Sequence, residues 1–99
     1  MARFEVFHLR GGLALDCQAD ILHRMPTRFV VPLELPDPAL IVDELLNPVF
    51  RVRAEALVMV TQLAGTVRLR DLGEIAGVLS DEADQRAVQR AIDLLTTGI

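Results

Sequence analysis

The strongest structural signal in the chain is the alternation in the segment LALDCQADI, residues 13–21. Five apolar or small side chains fall on one face: Leu13, Leu15, Cys17, Ala19 and Ile21. Three polar side chains fall on the other: Asp16, Gln18 and Asp20. A period of two with one polar face is typical of an antiparallel strand that has water on one side. The segment therefore predicts a strand over 13–21 with a solvated polar face.

Two further strands are predicted on either side of this one. ARFEVFHL (2–9) alternates charged and apolar residues, and Gly11-Gly12 follows as a hairpin turn, because glycine adopts positive φ at little steric cost. RFVVPLEL (28–35) is apolar and β-branched. Since Pro32 cannot donate a hydrogen bond to a sheet, we expect this strand to lie at an edge or to bend there.

The middle of the chain is divided by turn-forming residues. Residues 36–47 open with two prolines and predict a short helical turn from about Ala39, and residues 48–52 predict a short strand. Residues 55–69 predict one long strand, or two short strands with a bend at Gly65. Residues 70–79 are ambiguous and fit a helical turn broken by Gly73 and Gly77.

A helix is predicted after Ser80, which is a suitable N-cap and is followed by acidic residues that favour the positive end of a helix dipole. Six apolar side chains recur there at spacings of three and four: Ala83, Ala87, Val88, Ala91, Ile92 and Leu95. Five or six strands followed by one helix indicate an α+β fold. We expect a single domain over 1–99, in which a compact antiparallel sheet or half-open barrel packs against the helix.

Composition narrows the possible functions. Hydrophobic residues make up 52% of the 99 residues, so a small core can form, and we expect a homodimer because domains of this size often gain stability by dimerising. The net charge of −4 argues against non-specific binding of nucleic acid. The lone Cys17 excludes an internal disulfide. Without a signal peptide or a long apolar run, no membrane association and a cytoplasmic location are expected.

No pattern of side chains predicts catalysis. Asp16 and Asp20 share a strand face, but four residues of strand separate their Cα atoms by roughly 13 Å, beyond the about 5–9.5 Å between the paired carboxylates of glycosidases. We expect Cys17 to be buried and His23 to lie in an exposed loop, and together with His8 they lack the spacing of metal ligands. Phosphate-loop and nucleophile-elbow motifs are absent. These observations predict a binding protein that is not an enzyme and needs no cofactor or metal.

Several segments, in order, resemble the CcdB family of toxins from type II toxin–antitoxin systems. LALDCQADILHRMPTRFVVPLEL (13–35) is similar to the corresponding stretch of the family, including the run from Asp16 to Ile21 and the segment around Pro32. LNPVFRV (46–52) and VMVTQLAGTV (58–67) are similar to the family's Pro-Val segment and its long central strands. AIDLLTTGI (91–99) is similar to its terminal helix, which closes on Gly-Ile. The resemblance covers about residues 3–99.

The resemblance implies a small homodimer with an SH3-like antiparallel β-barrel, a fold shared with MazF-type ribonucleases, and a C-terminal α-helix. Toxins of this family are not enzymes; they bind the A subunit of DNA gyrase and trap it on cleaved DNA. A CcdA-like antitoxin would bind through a disordered segment and release the toxin from gyrase. The pair would repress its own operon, so operator DNA would be contacted only through the antitoxin.

Carried over position by position, the resemblance implies a gyrase-binding face of seven residues: Ile21, Leu22, Asp93, Thr96, Thr97, Gly98 and Ile99. The family has Phe where Thr96 stands, Trp where Thr97 stands and Asn where Asp93 stands. Because aromatic residues are frequent hot spots, we expect this chain to be a weak poison of the usual target. The loop RGG (10–12) is also shorter than in the family, so the antitoxin contacts are unknown.

Three functions stay open at this point. The first is a CcdB-type toxin whose contact surface is adapted to the gyrase of its own host. The second is a CcdB-fold protein that has lost poisoning and acts as an antitoxin-binding partner or operon co-regulator. The third is a MazF-like endoribonuclease, for which four arginines could supply positive charge, although the acidity of the chain argues against it: Arg3, Arg28, Arg51 and Arg53. Ile21 could also be a core residue, and Thr96 and Thr97 a frayed helix end.

Overall fold

Seven strands and one helix are formed within residues 2–98, the part of the chain that the computed structural model describes. The strands are β1 (Glu5–Leu9), β2 (Gly12–Asp16), β3 (Thr27–Glu34), β4 (Val49–Val52), β5 (Glu55–Met59), β6 (Gly65–Arg68) and β7 (Ile75–Val78). The helix α1 spans Glu82–Thr97. Four 3₁₀ turns connect these elements: Asp20–Leu22, Pro38–Leu40, Thr61–Leu63 and Leu69–Asp71.

The sheet bends into a nearly closed antiparallel barrel. Its strands follow the order β4-β5-β3-β2-β1-β7, and β6 is a third partner of β3. The two end strands approach each other at Gly77 of β7, where an added Cβ atom would lie 2.9 Å from Cγ1 of Val52 in β4. The core inside the barrel is mainly aliphatic, and α1 covers it with Val88 and Ala91. The predicted α+β fold, a barrel with a C-terminal helix, is therefore confirmed.

The first hairpin turn lies one residue earlier than predicted. Leu9 pairs with Gly12, so the two turn residues are Arg10 and Gly11 rather than Gly11 and Gly12. Both have positive φ, 50° and 83°, as a type I′ hairpin requires. Gly12 already belongs to β2.

The prediction of a strand over 13–21 is wrong after Asp16. β2 ends at Asp16, whose carboxylate accepts a hydrogen bond from the backbone N–H of Gln18 at 3.0 Å. This bond from an aspartate to the backbone two residues later turns the chain out of the sheet. The turn Asp20–Leu22 follows instead of more strand.

Pro32 lies in a central strand, so the edge position, one of the two alternatives expected for it, is wrong. Along one side of β3, β6 pairs with residues 27–30 and β5 pairs with Leu33 and Glu34. Pro32 stands between these two partners, and its carbonyl accepts a hydrogen bond from Val60 N–H on that side, at 2.9 Å. Because the N and C=O of one strand residue face the same neighbour, the missing N–H falls where the partner strand changes.

The remaining segments agree with the predicted secondary structure in part. Residues 55–69 form two strands rather than one, and a short 3₁₀ turn contains Ala39, as expected. Residues 75–78 form β7 instead of a helical turn. The helix is capped by Asp81 rather than Ser80, because the Asp81 carboxylate accepts the Ala83 N–H at 2.7 Å. Two residues of the predicted apolar stripe, Ala83 and Leu95, are exposed.

The close approach of β4 and β7 predicts that even a small side chain at Gly77 destabilises the fold. We expect Gly77→Ala to lower the free energy of unfolding by about 1–3 kcal/mol, because the new methyl group would overlap Val52 in a packed core. Gly65→Ala is the matched control, since a Cβ atom there meets nothing within 4 Å. Urea denaturation followed by circular dichroism measures both, and equal effects of the two substitutions would contradict a close β4–β7 contact.

Candidate partner-binding face

Ile21 projects from the tight turn Asp20–Leu22 into solvent. Its side chain is 87% exposed and that of Leu22 is 46% exposed. The turn is closed by backbone hydrogen bonds from Leu22 N–H to Ala19 O at 2.9 Å and from His23 N–H to Asp20 O at 3.1 Å. Ile21 is therefore not a core residue, and two apolar side chains stand on a fixed backbone where a partner can reach them.

Gln18 fastens this turn to the sheet. Its side-chain oxygen accepts the Phe29 N–H at 2.9 Å, and its side-chain nitrogen donates to Leu22 O at 3.0 Å. One buried amide thus bridges the first residues of β3 and the turn. The alternating pattern had predicted Gln18 on a solvated face, which is wrong.

A buried ion pair lies beside this bridge. Arg28 Nε donates to Asp16 Oδ2 at 2.8 Å, its Nη2 lies 2.6 Å from the same oxygen, and both side chains are excluded from solvent. Burial raises the pKa of Asp16, and the hydrogen bonds from Gln18 and Arg28 offset only part of that effect. Asp16 is therefore not the solvated carboxylate that the pattern predicted, whereas Asp20 is exposed. Arg28 cannot contribute to a basic surface groove.

The other predicted residues lie at the end of α1. The Thr96 hydroxyl donates to Ile92 O at 2.9 Å, and the Thr97 hydroxyl donates to Asp93 O at 2.7 Å. Gly98 ends the helix with φ of 77°, and its N–H donates to Leu94 O at 3.0 Å. The helix is thus continuous through Thr97 and is not frayed there. Ile99 lies outside the described residues.

Arg3 joins the Ile21 turn to the helix. Its backbone N–H donates to Asp20 Oδ1 at 2.8 Å, and its guanidinium donates to Gln89 Oε1. Gln89 in turn donates to Asp93 Oδ1 at 2.9 Å. Asp93 is thereby tied to the turn, while Thr96, Thr97 and Gly98 follow it along the helix. We call the six described residues the candidate face: Ile21, Leu22, Asp93, Thr96, Thr97 and Gly98.

The other side chains considered from the sequence do not belong to the six residues of this face. Cys17 is buried in the core as predicted, and burial raises the pKa of its thiol to about 12. His23 is exposed as predicted. Among residues 2–98, no group of three His, Cys, Asp or Glu side chains is arranged to hold a metal ion. Within the same range, no helix combines the length and the apolar character needed to cross a membrane.

Comparison with known proteins identifies the family. A family model described as CcdB protein matches residues 3–98, nearly the whole chain. The chain belongs to the CcdB family. As a CcdB-family protein it is a toxin of the toxin–antitoxin class, and its barrel with a C-terminal helix is the CcdB fold.

A solved structure shares this fold at low sequence identity. It is described as the crystal structure of an Mtb toxin, with a TM-score of 0.74 and 15% identity, and the match covers 88% of this chain and 94% of that one. At this identity the likeness establishes the fold alone. No curated protein matches the chain.

The sequence did not reveal the role of four residues that support the candidate face: Arg3, Gln18, Arg28 and Gln89. The buried position of Gln18 was hidden because polar residues in an alternating strand are usually solvated. Arg3 and Gln89 are 86 residues apart, so only the fold brings them together. The one available signal was the set of three polar residues within 16–20, followed in the chain by a predicted apolar strand that begins with Arg28.

The buried ion pair yields a prediction about stability. We expect Asp16→Asn to lower the free energy of unfolding by about 3–5 kcal/mol, because the Arg28 guanidinium would be left buried without a counter-ion. The double variant Asp16→Leu with Arg28→Met should recover most of that loss, because no charge is then buried. Denaturant titration of the single and double variants measures the difference.

The exposed pair Arg86–Glu82, 3.9 Å apart, provides the control for this measurement. Glu82→Gln should leave the unfolding free energy close to that of the parent chain, because solvent screens the pair. A double variant less stable than Asp16→Asn would show that the pair stabilises the fold on balance.

Proposed function

We propose that the chain is a CcdB-type toxin that binds the A subunit of DNA gyrase through the candidate face and traps gyrase on cleaved DNA. The action is one of binding, so no catalytic residue is assigned. The observation that carries the proposal is the exposure of Ile21 on a turn that Arg3 and Gln89 connect to the end of α1. These hydrogen bonds link the two segments that the resemblance to the CcdB family implies for gyrase binding.

The exposed apolar side chain is the main support for binding at this place. A side chain as large as Ile21 gains about 1.5–3 kcal/mol when a partner buries it fully. Its turn is already fixed by Gln18, so little backbone entropy is lost on binding. A pre-organised apolar contact beside polar helix residues is a common arrangement at protein interfaces.

The two threonines favour a second candidate, a CcdB-fold protein that binds its antitoxin without poisoning gyrase. Their hydroxyls donate to carbonyls of their own helix, so Thr96 and Thr97 present small side chains there. Loss of an aromatic hot spot typically reduces binding by about 2 kcal/mol or more. In this candidate the protein serves as the folded partner in a repressing complex.

Assembly and partners follow from the same proposal. We propose a homodimer and a CcdA-like antitoxin, with operator DNA contacted only through the antitoxin. The acidic chain, with a net charge of −4, supports indirect rather than direct contact with DNA.

Light scattering at micromolar concentration should give twice the monomer mass of 10.9 kDa, and a monomer would contradict the homodimer.

A DNA-cleavage assay with gyrase from the same source distinguishes the two candidates. With supercoiled plasmid and ATP, we expect linear, protein-linked DNA to accumulate when the protein is added. Ile21→Ser should raise the protein concentration needed for this effect about tenfold, which corresponds to about 1.4 kcal/mol of lost contact. Ile75→Ser on β7 is the matched control, because Ile75 is also an exposed isoleucine and lies outside the candidate face.

Two outcomes would contradict the first candidate. If the parent chain produces no cleavage and no loss of supercoiling at high excess, it is not a gyrase poison. If Ile21→Ser and Ile75→Ser behave alike, gyrase is not bound through the candidate face. Where the parent chain produces no cleavage, the double variant Thr96→Phe with Thr97→Trp tests the reason. A gain of cleavage by this variant would identify the missing aromatic residues as the cause.

A further inference from the structure

The connection between β3 and β4 displays a second group of exposed apolar side chains. We call residues 35–48 the β3–β4 loop. Val42 is 72% exposed and Leu45 is 53% exposed at its tip, and Leu35, Ile41 and the adjoining Val49 are exposed as well. None of these residues belongs to the candidate face. Monomeric proteins seldom group large apolar side chains on the surface unless a partner covers them.

The loop is held in a fixed shape. The buried Asn47 accepts the Val42 N–H at 2.8 Å and donates to Met59 O at 3.0 Å and to Gln62 Oε1 at 2.7 Å. Asp43 Oδ1 accepts the Leu45 N–H at 2.8 Å. These bonds tie the tip of the loop to β5 and to itself. Val42 and Leu45 therefore face solvent because an ordered backbone holds them there.

The charged residues within this loop all have one sign. Between Phe29 and Phe50 the chain contains four acidic residues and no Arg, Lys or His. All four carboxylates are exposed: Glu34, Asp37, Asp43 and Glu44. The ion pairs found among residues 2–98 involve none of them. The loop thus presents apolar side chains among carboxylates that take part in no ion pair within residues 2–98.

This charge distribution selects among possible partners. A second copy of the chain docked by the same surface would place the carboxylates of both copies against each other, which is unfavourable. Nucleic acid and anionic lipid would be repelled for the same reason. A protein segment with apolar and basic side chains would cover the exposed residues and pair with the carboxylates.

We propose that the β3–β4 loop, with Val49, is a docking surface for a protein segment that combines apolar residues with Arg or Lys. The apolar residues of the segment would bury Val42 and Leu45, and its basic residues would lie against Asp43 and Glu44. The inference does not depend on gyrase binding, because the two surfaces share no residue. One can therefore fail while the other holds.

Three synthetic peptides of equal length test the proposal with the full-length protein. They share the same leucines and valines and differ only in the intervening residues, which are Arg, Ser or Glu. We expect the Arg peptide to bind about tenfold more tightly than the Ser peptide, and the Glu peptide not to bind. Binding of the Arg peptide should shift the amide NMR signals of residues 41–46 and should weaken as salt is added.

Substitutions in the loop complete the test. Val42→Ser with Leu45→Ser should abolish binding of the Arg peptide, and Glu44→Gln should weaken it, whereas Ile75→Ser should leave it unchanged. The variants should fold, because the replaced side chains are exposed. The proposal is overturned if the Arg peptide does not bind at millimolar concentration, or if the Glu peptide binds equally well. A dimer that the double serine variant converts to a monomer would also overturn it, by showing that a second copy covers the loop.

Discussion

The ion pair between Asp16 and Arg28 is the interaction on which the shape of the candidate face depends. Asp16 is the last residue of β2, and Arg28 lies near the beginning of β3, so the pair fixes both ends of the connection that carries Ile21. The second carboxylate oxygen of Asp16 turns the chain at Gln18. Gln18 then holds the turn at Leu22 O. Burying two charges is expensive in isolation, but here it specifies one path for the exposed segment.

Local patterns were sufficient to predict the architecture but not the extent of the second strand. Residues 13–16 alternate as predicted, yet both faces of the strand are buried, since Ala14 and Asp16 are as inaccessible as Leu15. β2 lies inside the strongly bent sheet, between β3 and β1, and it has no solvated polar side. Polar residues then signal buried hydrogen bonding rather than water, and hydrophobic periodicity alone does not separate the two cases. The cap at Asp81 instead of Ser80 is a smaller error, because both residues are good N-caps.

The candidate face came from resemblance to the CcdB family, and its internal connections came only from the structure. Thr96, Thr97 and Gly98 could be placed on a helix end because the apolar spacing of α1 is regular. The bridge from Asp20 through Arg3 and Gln89 to Asp93 could not be predicted, since it joins the two ends of the chain. Contacts between residues far apart in sequence depend on how the barrel closes, and no local propensity encodes that closure.

The position of Pro32 has a consequence for the fidelity of strand pairing. β3 is shared by β6 and β5 along one side, and slippage of either strand would turn its side chains to the wrong face or leave a gap. If β6 slid past Val30 toward Leu33, one of its carbonyls would meet a proline nitrogen that carries no hydrogen. The misaligned pairing would therefore lack the backbone hydrogen bond at residue 32, which the native pairing does not require. Pro32 therefore penalises an alternative structure at no cost to the native one, and so marks where the sheet divides.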